Sequence, residues 1–226
     1  MWYSLQIALS LLTLRGLHLA LRLGIQDEKT CWFLLHAATN FVIAAVTLPA
    51  FSVAFHHLDW IGFLPPEAPD LGIWDAALIG SVHLYHLLAF DMDYDDWFHH
   101  LLFVPFNQAA MVLPERWGYA RWGPCIRMQH FFVCGLPGGL DYVGLALRRL
   151  GLLDTERQKR LQCKLNLWLR CPGVLMTISI LLLEALRTQQ PALLCVLVLI
   201  DAALIGFNSL YYTERVIRSY ARFRKA

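Results

Sequence analysis

The chain has 226 residues, of which 58% are hydrophobic and only 16% charged, and its net charge is +2. A soluble domain carries roughly 25% charged residues, so this balance excludes an ordinary soluble domain, and the near-neutral charge excludes a nucleic-acid partner. Several stretches reach the roughly 20 apolar residues that cross a bilayer, with little chain left over. The expectation is an all-α polytopic membrane protein, one membrane domain over 1–226.

Seven transmembrane helices are predicted in chain order, at about 2–23, 31–55, 73–90, 96–113, 122–147, 165–186 and 191–212. The first lies within 1–24, where Arg15, His18 and Arg22 interrupt the apolar run. No small-residue cleavage site follows, so this stretch is expected to stay as a helix rather than leave as a signal peptide. Between the second and third segments, HHLDWIGFLPPEAPDLG is Pro-rich and Trp-bearing, as an interfacial loop would be. The fifth contains Gly135, Pro137, Gly138 and Gly139, which predict a kink or a close backbone approach. Six cysteines stand singly, without CxxC, and read as reduced apolar fillers.

With seven spans, one side of the membrane receives Lys29, Arg148, Arg149, Arg157, Lys159, Arg160 and Lys164. The basic tail at 215–226, with Arg215, Arg218, Arg222, Arg224 and Lys225, falls on the same side. The other side receives Arg116, Arg121 and Arg187. This asymmetry places the C-terminus on the cytoplasmic side. It places there also the hinge of Asp91, Asp93, Asp95 and Asp96 between the third and fourth segments.

That hinge is flanked by two histidine pairs, His83 with His86 and His99 with His100. Ionisable groups within apolar segments are costly and mark functional sites. On a helix Asp96 is three residues from His99 and four from His100, so the carboxylate is expected to share a face with both rings and raise their basicity. Other segments carry polar stripes: His36 with Asn40; Arg127, His130, Cys134, Gly138 and Asp141; Arg170, Thr177 and Glu184; Asp201, Ile205, Asn208 and Tyr212. Polar faces on at least five segments predict a shared chamber, lined by His83, His86, Asn107, His130, Asn208 and Tyr212. A lone buried histidine is more often an interhelical hydrogen-bond partner, which is also the simple reading for His18, His36 and His130. His56 and His57, beside Trp60, read as interfacial.

The histidines could ligate a metal, but a di-iron membrane oxidase would be expected to carry longer boxes such as HxxxH and HxxHH, which do not occur. The second candidate, which the sequence favours over metal-dependent oxidation, is metal-free acid–base or acyl-transfer chemistry at His99 and His100. Here the run 85–104, with acids shortly before a His-His dipeptide that opens a short span, resembles the signature of the TLC-domain proteins, the family that includes the ceramide synthases. Arg121-Trp122-Gly123, then a long span with Pro137 and Asp141-Tyr142, is similar to that family's Arg-x-Gly entry and later aspartate. Asn208 with Tyr211 and Tyr212 is similar to its last span. The resemblance covers 31–214 loosely.

The resemblance implies six helices in a ring around a lipid-accessible chamber, preceded by one extra helix. It implies acyl transfer from acyl-coenzyme A, as co-substrate and with no other cofactor, to a sphingoid-type amine. His99 and His100 match the family's pair, Asp93 or Asp95 its preceding aspartate and Asp141 its later one, with Asp96 beside them. The expected partner is a membrane lipid, in the endoplasmic reticulum or another internal membrane, with a homo-oligomer or a larger membrane complex open. The alternative is a lipid-binding or sensing protein, or a subunit of such a complex, without catalysis.

Overall fold

A computed structural model describes residues 2–57, 73–116, 123–187 and 191–225, and among them there are helices and no strands. The helices are α1 (Trp2–Arg22), α2 (Glu28–His57), α3 (Trp74–Ala89), α4 (Tyr94–Arg116), α5 (Gly123–His130), α6 (Leu136–Arg149), α7 (Thr155–Leu165), α8 (Cys171–Arg187) and α9 (Ala192–Phe223). A π turn, Phe131–Gly135, joins α5 to α6, and another, Asn166–Arg170, joins α7 to α8. Five helical stretches are long and apolar enough to cross a membrane: Tyr3–Arg22, Glu28–Phe51, Gly123–Arg149, Thr155–Leu183 and Ala192–Phe223. The predicted third and fourth spans coincide with α3 and α4, which are helical but fall outside that group. α3 has only 16 residues, about 24 Å of helix, and α4 opens on Asp95 and Asp96 and ends on Glu115 and Arg116. The predicted interfacial loop lies at 58–72, outside the described residues.

Local sequence sets the helix ends. Asp27 caps α2, accepting from the backbone N–H of Thr30 at 2.9 Å and from its hydroxyl. Asp93 and Asp96 cap the start of α4 reciprocally: the Asp96 N–H donates to Asp93 Oδ1 at 3.0 Å and the Asp93 N–H to Asp96 Oδ2 at 3.3 Å. Asp154 accepts from the Arg157 N–H at 2.7 Å and opens α7. Beyond α6, Gly151 takes φ +72°, the left-handed conformation glycine adopts freely, and the Leu152 N–H returns to the Leu147 carbonyl at 2.9 Å.

Two expected boundaries move outward. The sixth segment begins at Thr155 rather than near 165, because TERQKRLQCKL is itself helical. The seventh continues through most of the basic tail to Phe223. There a Glu214–Arg218 pair at i,i+4 (2.5 Å) supports the extension, and Lys159 of α7 donates to Ser219. At 32 residues, α9 is about 48 Å long, well beyond a bilayer core of about 30 Å.

α2 is the central post. Of its apolar span 61% is buried, against 22% for α1, and it packs along α6, α5, α3 and the first π turn. Close approach is written into glycines. A Cβ on Gly135 would lie 3.2 Å from the Ala44 backbone, and one on Gly173 would lie 2.1 Å from the Phe132 ring. All six cysteines are free. Arg149, at the very end of α6, clamps Asp27, which lies between the first two apolar spans, with two bonds at 2.6 and 2.7 Å.

Gly173→Ala should therefore destabilise the protein by about 1–3 kcal/mol, since Phe132 must leave its rotamer, whereas Gly16→Ala, which meets nothing within 4 Å, should be neutral. Thermal unfolding in detergent checks both. The Arg149 and Thr30 bonds hold the Asp27 carboxyl well below the usual carboxylate range. A depressed folded-state value contributes stability that is complete above the unfolded value, about 4, and is lost as pH falls through the folded one. Arg149→Gln should lower the melting temperature at pH 7 and progressively less at lower pH. The effect should be under about 1 kcal/mol, because both side chains are over a third exposed.

Candidate functional site

Polar side chains from six helices converge on a cavity of about 440 Å³. α2 contributes His36 and Asn40, α3 His83, the start of α4 Asp93, Asp96 and His99. The first π turn gives Val133 and Cys134, α6 Gly138, Asp141, Tyr142 and Leu145, α7 Gln162, the second π turn Arg170, and α9 Asn208, Ser209, Tyr212, Arg215, Val216 and Ser219. Most of these residues carry a polar group, but much of the surface they turn to the cavity is apolar, so the space can take a molecule with both polar and apolar parts.

The histidines divide the wall between them. Neighbouring residues on a helix point about 100° apart, so His99 and His100 cannot face the same way. His99 lines the cavity, with the Asn208 amide in hydrogen-bonding reach and Tyr212 6.1 Å away between ring centroids. His100 stands behind it, buried, with Nε2 3.2 Å from Nδ1 of His86. His83 lines the cavity and packs against His100 and His99 at 4.7 and 5.5 Å between centroids. Its Nδ1 is 2.7 Å from the Ile79 carbonyl. That bond requires Nδ1–H, so neutral His83 keeps its lone pair at Nε2. His86 is clamped by Trp32, stacked at 3.8 Å, and His36 stacks on Tyr142 at 4.3 Å.

The aspartates behave differently from expectation. Asp96 was expected beside His99 and His100, but its Oδ2 is 3.9 Å from His86 Nε2. The reciprocal cap with Asp93 turns it toward α3. The Asp95 side chain lies outside the described residues. Asp141 lines the cavity, takes a bond from Gln162 at 3.3 Å and faces Arg170 at 3.7 Å, while Arg170 donates to Asn166 at 2.8 Å. Gly138 lets the Asn40 side chain of α2 come close to α6, because a Cβ there would lie 2.8 Å from Asn40 Nδ2. Arg170 thus pairs across helices, whereas the Glu184 side chain lies outside the described residues. So do the side chains of His56 and His57.

Asn107 and His130, expected in the chamber, instead join a separate buried network. His130 Nδ1 is 2.7 Å from Asp75 Oδ2 and Nε2 2.9 Å from Asn107 Oδ1. Arg127 is 3.9 Å from Asp75, and Gln129 donates to Asp201 at 3.1 Å. The stripe Arg127, His130, Cys134, Gly138, Asp141 is thereby split, and the break coincides with the π turn, whose extra residue rotates the face beyond it. His18 is an interhelical partner, between Tyr85 (2.9 Å) and Glu28 (3.3 Å). Asp75, a lone acid inside an apolar stretch, was the signal that sequence reasoning passed over. Gln129 and Trp32 carried no such signal.

Six cavity-lining residues each hold one buried polar atom without a partner among the described residues: His36 Nδ1, His99 Nδ1, Asp141 Oδ1, Arg170 Nε, Asn208 Oδ1 and Ser209 Oγ. Such atoms are rare in folded interiors. Their grouping around one cavity gives it both donors and acceptors. Among the described residues no group of three or more His, Cys, Asp or Glu side chains is arranged to hold a metal ion. Comparison with family models, curated proteins and solved structures returns no match.

The Asp75 network can be tested directly. His130→Leu leaves a carboxylate without its closest partner and should cost about 3–5 kcal/mol. Adding Asp75→Asn should recover part of the loss in thermal unfolding, since the stranded charge is then gone.

Proposed function

We propose that this chain is an integral membrane protein whose cavity receives the polar end of a membrane lipid and performs acid–base or acyl-transfer chemistry on it. The observation that carries the reading is the convergence of His36, His83 and His99 on one polar cavity, backed by His86 and His100, in a chain with at least five membrane-length helices. An imidazole there can take a proton from an amine or hydroxyl. The resemblance of 85–104 to the TLC-domain signature supports the finer form: α3 and α4 also span, six helices surround the chamber after an extra α1, and the C-terminus faces the cytoplasm of an internal membrane.

In that form a sphingoid-type amine nitrogen attacks the thioester carbonyl carbon of an acyl-coenzyme A. The C–N bond forms and the C–S bond breaks. His99 takes the amine proton, and the thiolate departs with the coenzyme and is protonated by water. Asp141 is held by Gln162 and Arg170, and Asp93 and Asp96 are engaged in capping. That engagement favours one second reading, a lipid-binding or sensing protein, alone, as a homo-oligomer or in a larger complex, whose cavity holds a headgroup without chemistry.

Purified protein supplied with an acyl-coenzyme A and a long-chain amine should form the amide, and His99→Ala should reduce the rate by about 100-fold or more. Amide formation equal in the two proteins, or absent from both while lipid copurifies with both, overturns catalysis and leaves binding.

A further inference from the structure

We infer that Asp96, His86 and His100 form a proton relay that runs behind the cavity wall and connects the cavity-facing imidazoles with the mouth. The inference rests on the reading of the cavity as an acid–base site. It assigns roles that neither the cavity nor the His-His dipeptide reveals: His86, on a different helix from the dipeptide, becomes the positioning residue for His100.

The donor and acceptor inventory of the rings supports one direction. Asp96 Oδ2 approaches His86 Nε2, at 3.9 Å. A carboxylate there favours N–H on that nitrogen, which leaves His86 Nδ1 with its lone pair. That lone pair faces His100 Nε2 at 3.2 Å, so His100 carries its hydrogen on Nε2 and directs it at His86. His100 Nδ1 is then the bare nitrogen, and it is buried without a partner among the described residues. On the cavity side His83 and His99 pack against the same ring, at 4.7 and 5.9 Å between centroids.

The geometry is held from outside the relay. Trp32 stacks on His86 at 3.8 Å with planes 28° apart, and Phe90 packs edge-on at 6.1 Å. The Asp93 cap fixes Asp96. The charged and titratable groups around His86 are Asp93, Asp96, His99 and His100 from α4, His83 from its own helix, and His36 and Lys29 from α2. Carboxylates therefore stand at the exposed end, where Asp93 reaches solvent, and imidazoles at the buried end, a gradient that draws a proton outward.

The transfer balances. A proton leaves the ligand's amine or hydroxyl for His99 and passes to His100 Nδ1 when the His99 ring swings toward it, the two rings sharing no hydrogen bond at rest. The His100 Nε2 proton moves to His86 Nδ1, and the His86 Nε2 proton moves to Asp96 and on to water at the mouth. No other co-reactant is needed, and each ring ends in its other tautomer until the reverse flow resets it.

The test needs no turnover. Protein labelled with 15N-histidine is studied by long-range 1H–15N correlation in detergent, with single-site variants assigning His86 and His100. Both rings should show hydrogen on Nε2, and Asp96→Asn should shift the tautomer balance of His86 and, through it, of His100, while His83 keeps Nδ1–H. His100 resonances unchanged in both Asp96→Asn and His86→Gln, in folded protein of native melting temperature, overturn the relay whatever the activity. If the amide-forming activity is present, His86→Gln should lower kcat at least tenfold, leave KM within twofold and move the acidic limb of the pH–rate profile. A loss confined to KM, with that limb unmoved, overturns it as well. Absent activity with a normal tautomer response sinks the catalytic reading and leaves the relay standing.

Discussion

Everything in this structure depends on how an apolar helix bundle tolerates ionisable side chains in its interior. An unpaired charge there is unaffordable, so each must meet an opposite charge or enough hydrogen bonds to stand in for water. The chain meets the requirement in two places. Asp75, Arg127, His130, Asn107, Gln129 and Asp201 interlock α3, α4, α5 and α9. Asp141 and Arg170, with Gln162 and Asn166, interlock α6, α7 and the second π turn. Apolar packing alone would let these helices slide past one another, since hydrophobic contact has no direction. Directional bonds fix the rotation of each helix, and that rotation decides which side chains reach the cavity.

The two π turns act on the same problem from the backbone. A π turn holds one residue more than an α turn and so rotates everything beyond it. Phe131–Gly135 lets one continuous rod send Arg127 and His130 into the buried network and Cys134, Gly138 and Asp141 into the cavity. Asn166–Arg170 ends on the arginine that reaches Asp141. Both turns sit where a glycine permits close contact, Gly135 against Ala44 and Gly173 against Phe132. The irregularities are thus what allows two polar clusters on one apolar rod.

Helix existence was legible because long apolar runs leave few alternatives, and the helices fall on the segments that hydropathy marks. The ends of α7 and α9 were not, since TERQKRLQCKL and the tail are too polar to register as apolar helix and are helical through capping and i,i+4 pairing. The polar stripes correctly flagged His36, Asn40, Asp141, Asn208 and Tyr212 as inward-facing. They misplaced His130, because periodicity assumes an unbroken 3.6-residue repeat, and Asn107 follows the face of His100, which turns behind the cavity wall. Asp96 lines the cavity with His99, as the i,i+3 spacing has it, but its carboxylate also caps the helix at Asp93 and reaches toward His86, contacts that spacing alone does not reveal.

The mouth of the cavity carries one further consequence of this division. Asp93 and Asp96 reach it from the start of α4, while Arg215 and Ser219, the latter tied to Lys159, reach it from the extension of α9 beyond its apolar part. Had α9 ended with its apolar run, near Tyr212, the rim would hold carboxylates alone and repel any anionic group. Helical continuation of the basic tail supplies the opposite sign. Arg215, over the Tyr211 and Tyr212 rings at 5.7 and 5.9 Å, is held there by aromatic faces as well as by its backbone. The cavity wall thus carries both signs of charge at this end. The polar tail, which composition alone would assign to membrane orientation, is in this fold part of the site.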